Sequence, residues 1–457
     1  MFGKIKRLYF VGIGGSGMSG IAEILHNLGY QVEGSDISAS DITDYLSNLG
    51  MRLYPEHRAS NISEADVVVI SSAVGEDNPE VVEARRRGIP VIKRAEMLGE
   101  LMRLKYSIGV SGTHGKTTTT SMIGHIMQTA GLEPTIIVGG IVAGLGTGAA
   151  LGSGEFLVAE ADEYDKSFLA MYPTLAVVTN IEADHLDCYE NMDDLIDCFV
   201  TYMNRVPFYG SVVIPADDEN VARVRHRLTR PYVSFGFDPE ADYRALKISM
   251  EPGRSLFSVY KRGNLLGEIM LRVPGRHNVA NALAAVASCC ELDIEFEKIA
   301  DALFSYRGVG RRFEIIGEAN GIMVVDDYAH HPTEIVATLQ AARDVYGRRV
   351  VVAFQPHLYS RTRDFAAEFA QALAVADQVF LVDIFPAREK PIAGVTSQLI
   401  ADQARRQGLL PMPCVGLKEN AIAALTEAAR TGDIVITMGA GSITRIKNDV
   451  LQKLKEK

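Results

Sequence analysis

The sequence predicts a three-domain α/β protein, and three observations carry that prediction. Strand-like apolar runs alternate with helical stretches along the whole chain. The alternation restarts twice, at Tyr106 and at Gly321. The first two domains each place a glycine turn between a strand and a helix, where open parallel sheets hold phosphates. At 457 residues the chain is also too long for one ordinary core. The domains are expected at 1–104, 105–316 and 317–457. The outer two read as Rossmann-like, and the central one as a phosphate-loop, ATPase-like sheet.

In the first domain, residues 5–13 read as a strand, 17–28 as a helix, and 30–36 and 66–71 as further strands. A helix over 79–87 and a short strand near 89–92 close it before Leu104. The second domain has strands at 106–110, 155–159, 174–179 and 211–214, with helices at 116–130, 192–204 and 277–291. Within 232–273, the runs ALKISM, LFSVYK and GEIMLRV suggest an antiparallel patch on that domain. The third domain runs from strand GIMVVDD through helix 333–343, strand 349–354, helix 363–374 and strand 378–383. Helices near 396–407 and 418–428 and a strand at 433–437 complete it. Gly308 and Gly310 lie just upstream, where a hinge is expected.

Composition excludes several classes. A chain with 47% hydrophobic and 23% charged residues is a soluble globular one. Its apolar runs are interrupted within about ten residues, too short for a bilayer span, so no membrane partner is expected. A net charge of −11 argues against a general nucleic-acid binder. The N-terminus imitates a signal peptide, but its apolar part, Leu8–Ile13, is too short, and a cytoplasmic location is expected. Cysteines 188, 198, 289, 290 and 414 show no metal-ligand spacing and read as reduced thiols.

The stretch SGTHGKTTTT, Ser111–Thr120, follows an apolar strand. The strict phosphate-loop spacing fails, because Val110 stands where its first glycine belongs. The physical ingredients are nonetheless present. Gly112 and Gly115 let backbone N–H groups turn towards an anion, Lys116 adds a flexible positive charge, and Thr117 offers a hydroxyl to magnesium. The helix that follows points its N-terminus at the phosphates. An earlier turn, Gly12-Ile13-Gly14-Gly15-Ser16-Gly17, fits Gly-x-Gly-x-x-Gly between a strand and a helix, with Asp36 ending the next strand. It indicates a diphosphate without saying which. A triphosphate-type loop at 112 counts against a simple dehydrogenase.

Carboxylates cluster where a magnesium ion would be held. Glu160 follows the strand 155–159, and Asp162, Glu163 and Asp165 read either as its support or as a solvated face. His185, after the next strand, reads as a metal ligand, a water-orienting group or a turn cap. Asn278 and Asn281 share one face of an apolar helix, where buried amides need a nucleotide or a neighbouring backbone as partner. Arg307, Arg311 and Arg312 bracket the two hinge glycines, a place from which a guanidinium can meet a transferring phosphoryl group. Asp326–Pro332 and Phe354–Arg361 place polar residues at successive strand ends, as cleft linings do.

Taken together these motifs resemble the Mur ligases, ATP-dependent enzymes that add amino acids to the cytoplasmic peptidoglycan precursor. The resemblance spans the chain. It rests on Gly12–Met18, Gly112–Thr118, Glu160–Glu163, Asn180–His185, His277–Asn281, Arg311–Phe313 and Asp327–Pro332. It is closest to the branch that couples L-alanine to UDP-N-acetylmuramate.

The resemblance implies the following roles. Gly12, Gly14, Gly15, Ser16, Gly17, Met18, Asp36 and Ser71 would bind the UDP-sugar. Gly112, Thr113, His114, Gly115, Lys116, Thr117 and Thr118 would hold ATP, with Asn278 and Asn281 near the nucleotide. Thr117 and Glu160 would hold one magnesium ion and His185 a second. Arg312 would meet the transferred phosphoryl group and Asp327 would support the nucleotide. Tyr328, His330, His357 and Arg361 would line the amino-acid pocket, with His185 or His330 as an assisting base. A monomer or weak homodimer is expected.

Two departures stand out. Later ligases of the pathway carry a carbamylated lysine about 14–15 residues after the histidine matching His185; here Phe199 and Val200 occupy those places. Leu358 stands where some members of the alanine branch have an arginine. The rival readings are a sister ligase that reattaches recycled peptides, an NAD-dependent oxidoreductase, and a nucleotide-gated binding protein without ligase chemistry. The oxidoreductase leaves Lys116, Glu160 and Arg312 without a task.

Overall fold

The computed structural model describes residues 5–457 apart from 63, 72, 139–148, 184–187 and 388, together with the side chain of Ser16. It contains three sheets, each predominantly parallel along its core strands and wrapped by helices. The chain divides into two compact units. The first is Met1–Ile248, Leu256–Arg272 and Asn278–Arg307; the second is Ser249–Ser255, Val273–His277 and Gly308–Lys457.

The first sheet takes β1 (Arg7–Val11), β2 (Gln31–Ser35), β3 (Arg52–Tyr54), β4 (Val67–Ile70) and β5 (Val91–Lys93) in the order β3-β2-β1-β4-β5. All its strands run parallel, and the order of connection reverses between β1 and β4, so a crevice opens at their carboxyl ends. The helices are α1 (Ser16–Asn27), α2 (Asp41–Asn48), α3 (Pro79–Arg86) and α4 (Arg94–Met102). Helix α2 and strand β3 were not anticipated, although the signal was present. Ser40 accepts from the Thr43 amide and Thr43 returns the bond, a capping box that starts the helix.

The central sheet takes β6 (Tyr106–Ser111), β7 (Thr135–Ile137), β8 (Ala149–Ala150), β9 (Phe156–Glu160), β10 (Leu175–Val178), β11 (Ser211–Pro215), β12 (Tyr232–Gly236), β13 (Tyr243–Glu251), β14 (Arg254–Lys261) and β15 (Asn264–Leu271). Its order is β15-β14-β13-β12-β11-β10-β6-β9-β7-β8. The short strands of 232–273 extend one edge of this sheet, and β13, β14 and β15 make up the antiparallel patch expected on this domain. Two-residue links join β13 to β14 and β14 to β15, too short for a parallel crossover, so these pairs run antiparallel. Helices α5 (Lys116–Thr129), α6 (Met192–Asn204), α7 (Glu219–Val224), α8 (Arg276–Cys290) and α9 (Phe296–Ser305) belong to this part of the chain. One apolar core runs through the first two sheets, from Phe10, Ile21 and Leu98 to Ala159, Phe168 and Phe199. The packing is close enough to require glycine: a Cβ on Gly99 would lie 2.3 Å from the Ala170 carbonyl oxygen.

The third sheet takes β16 (Glu314–Ala319), β17 (Ile322–Asp327), β18 (Val350–Phe354), β19 (Gln378–Val382), β20 (Cys414–Gly416) and β21 (Ile434–Met438), ordered β16-β17-β21-β18-β19-β20. Strand β16 pairs antiparallel with β17. The break expected after residue 316 falls inside β16, whose pairing with β17 starts at Glu314. Its helices are α10 (Pro332–Tyr346), α11 (Tyr359–Asp364), α12 (Ala366–Leu373), α13 (Gln398–Arg406), α14 (Lys418–Ala428) and α15 (Lys447–Glu456). The single helix expected over 363–374 is two, α11 and α12, broken at Phe365. No helix among the described residues is long and apolar enough to cross a membrane.

Candidate active site

The first glycine turn is pinned to the end of β2. The Gly12 and Ile13 amides donate to the Ser35 carbonyl at 2.8 and 3.0 Å, and the Gly14 amide donates to Asp36 Oδ2 at 2.9 Å. Gly12 adopts φ 79°, which favours glycine, and a Cβ there would lie 3.3 Å from Ser71 Cβ at the end of β4. Gly12, Gly14, Asp36 and Ser71 are thus brought together at the crevice. Gly15 caps α1, and Ser16 begins it, though its side chain lies outside the described residues. Met18 is 1% exposed and supports the turn from the core side. Arg94 went unnoticed in the sequence: a Cβ on Gly17 would meet its guanidinium at 2.8 Å.

The second turn lies between β6 and α5, and the strands on either side of β6 supply its neighbours. Strand β9 ends at Glu160, whose carboxylate oxygens accept from Thr117 Oγ1 at 3.0 and 3.1 Å. Beyond β10, Asn180 accepts from the His114 amide at 2.8 Å and donates to the His114 carbonyl at 3.0 Å. Thr113 exchanges hydrogen bonds with the Glu182 backbone. Gly112 and Gly115 have φ 132° and 82°; a Cβ on Gly115 would lie 2.4 Å from Asn281 Oδ1. Asn281 therefore packs beneath the turn, and its amide donates to Asn278 Oδ1 at 3.5 Å. The Thr118 side chain is buried. His185 lies outside the described residues.

Lys116 reaches back over the turn. Its Nζ donates to the Gly112 carbonyl at 2.7 Å and to both Glu163 oxygens at 2.9 Å. Glu163 is 1% exposed, which overturns the solvated-face alternative for that residue. Just beyond it, Asp165 and Lys166 both take left-handed backbone angles, φ 54° each. Burial acts against the Lys116 charge, but Glu163, Asp162 and Glu160 outweigh it and hold the ammonium above its ordinary range. Burial pushes the Glu163 carboxyl up to about 7, against the pull of Lys116 and with help from Asp162.

The groups present fit a nucleotide triphosphate with a hard cation. The turn leaves no room for side chains at Gly112 and Gly115, and Lys116 stands at its mouth. The Thr117 hydroxyl and Glu160 carboxylate are an oxygen pair of the kind magnesium takes.

In the second compact unit, Asp327 ends β17 and is 4% exposed. It accepts from the Phe313 and Ala329 amides, each at 2.7 Å. Burial raises its carboxyl to about 6, opposed by Arg312 and the two amides. Arg312 pairs with Glu334 at 3.4 Å and lies 5.3 Å from the Tyr328 ring centre. Burial and the Arg312 charge push His277 down to about 4, keeping it neutral at pH 7. His330 Nδ1 is 3.0 Å from the Tyr328 carbonyl and 3.2 Å from Glu334. An aromatic row continues from Tyr328 to His330 at 5.2 Å, to His357 at 5.8 Å and to Phe385 at 5.8 Å. Arg361, on α11, is 7% exposed. Phe385 and Glu334 escaped sequence reasoning, since neither lies in a motif.

Comparison with known proteins places these features in a family. Residues 7–106 match the description "Mur ligase family, catalytic domain", 110–289 match "Mur ligase middle domain", and 311–441 match "Mur ligase, glutamate ligase domain". A UDP-N-acetylmuramate–L-alanine ligase of Geotalea daltonii is 52% identical over 456 residues, covering 100% of both chains. The solved UDP-N-acetylmuramate–alanine ligase of Thermotoga maritima superposes with a TM-score of 0.83 at 31% identity, over 99% of each chain. A UDP-N-acetylmuramate:L-alanyl-γ-D-glutamyl-meso-diaminopimelate ligase from Neisseria meningitides gives 0.62 at 29% identity, over 67% of this chain and all of that one. Three consecutive family segments and an end-to-end relative at half identity show that the chain belongs to the Mur ligase family.

Proposed function

We infer that the protein joins L-alanine to UDP-N-acetylmuramate at the expense of ATP, releasing ADP and phosphate. The observation that carries the chemistry is the second glycine turn, where Lys116 is held among carboxylates beside the Thr117–Glu160 oxygen pair. Such a turn serves phosphoryl transfer and has no use in hydride transfer. The full-length likeness to ligases of that name supports the substrates.

A carboxylate does not form an amide directly at neutral pH, because oxide would have to leave. In the proposed reaction the lactyl carboxylate attacks the terminal phosphorus of ATP, giving an acyl phosphate and ADP. The alanine amine then attacks the acyl carbon, and phosphate departs from the tetrahedral intermediate. The chain's tasks are alignment and charge compensation. We assign Lys116 to the terminal phosphates and Arg312 to the phosphoryl group in transfer. Asn278, Asn281 and Asp327 are assigned to the nucleotide's surroundings. Thr117 and Glu160 would hold magnesium, which neutralises phosphate charge when bound. The first turn, with Asp36, Ser71 and Arg94, is assigned to the UDP-sugar, and Arg94 brings a positive charge to its diphosphate. His330, His357 and Arg361 are assigned to alanine, the guanidinium to its carboxylate. These roles correspond to a UDP-sugar domain, an ATP domain and an amino-acid domain in chain order.

The test is ADP release from ATP with UDP-N-acetylmuramate and either L-alanine or the L-alanyl-γ-D-glutamyl-meso-diaminopimelate tripeptide. Release that needs the sugar nucleotide and L-alanine is expected. Release stimulated by the tripeptide alone would move the protein to the recycling branch, and release indifferent to both would remove the ligase assignment.

A further inference from the structure

Leu358 has φ 70° and ψ 140°, close to a region that residues with a Cβ scarcely occupy. It sits between His357 and α11, the two elements that carry the proposed alanine pocket. Backbone strain of this kind persists only where the surroundings over-determine it. Here they do. The Leu358 amide donates to the Phe385 carbonyl at 3.0 Å, and the Phe385 amide returns to the Pro356 carbonyl at 2.8 Å. The Leu358 carbonyl accepts from the Thr362 amide at 3.2 Å and from Thr362 Oγ1 at 2.8 Å. The next two amides, of Tyr359 and Ser360, both donate to Glu389 Oε2, at 2.6 and 3.0 Å. Ser360 Oγ donates to the other Glu389 oxygen.

Glu389 is 31 positions from Leu358 and belongs to the segment between β19 and α13. Its carboxylate occupies the amides that open α11, so a substrate carboxylate does not have them. We propose that Glu389 is a positioning residue: it latches the strained Leu358 turn and thereby sets His357 and Arg361 for the amino acid. This rests on the reading of His330, His357 and Arg361 as the alanine pocket. The latch explains how a leucine keeps that backbone conformation, since one carboxylate fixes the two amides that follow it and, through them, the start of α11 that carries Arg361.

Steady-state kinetics on the full-length enzyme test it. Glu389→Ala is expected to raise the KM for L-alanine about tenfold, with the KM values for ATP and UDP-N-acetylmuramate within about twofold of wild type. Adding Leu358→Gly, which accepts the same backbone angles without strain, should recover most of that loss. A merely structural role for Glu389 would shift all three KM values or the melting temperature and would not respond to the glycine. Should Glu389→Ala not fold, Glu389→Gln keeps one acceptor oxygen and is expected to raise the alanine KM about threefold. An unchanged alanine KM in a folded Glu389 variant, or a double variant no better than the single, overturns the latch. Arg361→Ala separates the two claims. If it leaves the alanine KM unchanged, the pocket reading fails; if it raises that KM while the Glu389 variants do not, only the latch fails.

Discussion

The two glycine turns of the first compact unit share a backbone plan and differ in the charges kept beside it. Each follows a parallel strand, opens a helix and uses positive-φ glycine to bring the backbone close to a ligand. The first keeps one carboxylate, Asp36, bonded to the Gly14 amide, and a guanidinium from α4 against Gly17. The second keeps a buried ammonium bound to two oxygens of Glu163, with Glu160 gripping Thr117 next to it. A ligand that is only to be held needs hydrogen bonds and a complementary charge. A phosphate that is to be moved needs a cation already desolvated and aimed, and the neighbouring carboxylates hold the Lys116 ammonium above its ordinary range.

Removing the cation from each turn should therefore have different consequences. Lys116→Ala is expected to lower kcat on the order of 10²-fold or more while leaving UDP-sugar affinity within about twofold. Arg94→Ala should do the opposite, raising the KM for the UDP-sugar about tenfold with kcat nearly intact. Stopped-flow or coupled ADP assays read both. Equal losses in the two variants would erase the distinction between a holding turn and a moving turn.

A smaller effect follows from Glu163. Burial already holds its carboxyl up at about 7, with Lys116 pulling it down. When the phosphates of ATP draw the ammonium away, Glu163 loses its opposing charge and gains an anionic neighbour, and both changes raise it further. Binding should then take up about half a proton near pH 7, seen as a dependence of calorimetric enthalpy on buffer ionisation. Glu163→Gln should abolish that dependence. Proton release, or uptake that survives in the glutamine variant, would contradict the pairing.

The least effect is expected from carbon dioxide. Phe199 is fully buried and packs on Phe168 with ring centres 5.1 Å apart, so the place of the carbamylated lysine is taken by core. Rates in bicarbonate-free and bicarbonate-supplemented buffer should agree. A reversible rescue by bicarbonate would mean that another lysine carries the group.

Much of this was legible because it is local. Both turns announce themselves by glycines between a strand and a helix, and Glu160 by its place at a strand end beside the turn. What stayed hidden depends on the chain returning from elsewhere. Arg94 reaches Gly17 only because α4 packs beside the first turn, and Glu163 meets Lys116 only because β9 lies next to β6 in the sheet. Met18 shows the converse: it belongs to the recognisable motif, yet its side chain serves the core. In the third sheet, Asp327 and His357 stand at strand ends as expected, whereas Glu389 finds the Tyr359 and Ser360 amides across a connection that no periodicity marks.

The central claim is that one turn holds the UDP-sugar and the other the ATP. Its most direct test is calorimetric titration of UDP-N-acetylmuramate into protein already saturated with a non-hydrolysable ATP analogue and magnesium. One equivalent of the sugar nucleotide should bind with its affinity preserved or improved, and the analogue should stay bound throughout. Displacement of the analogue in proportion to the sugar added would mean a single shared site and would contradict the account.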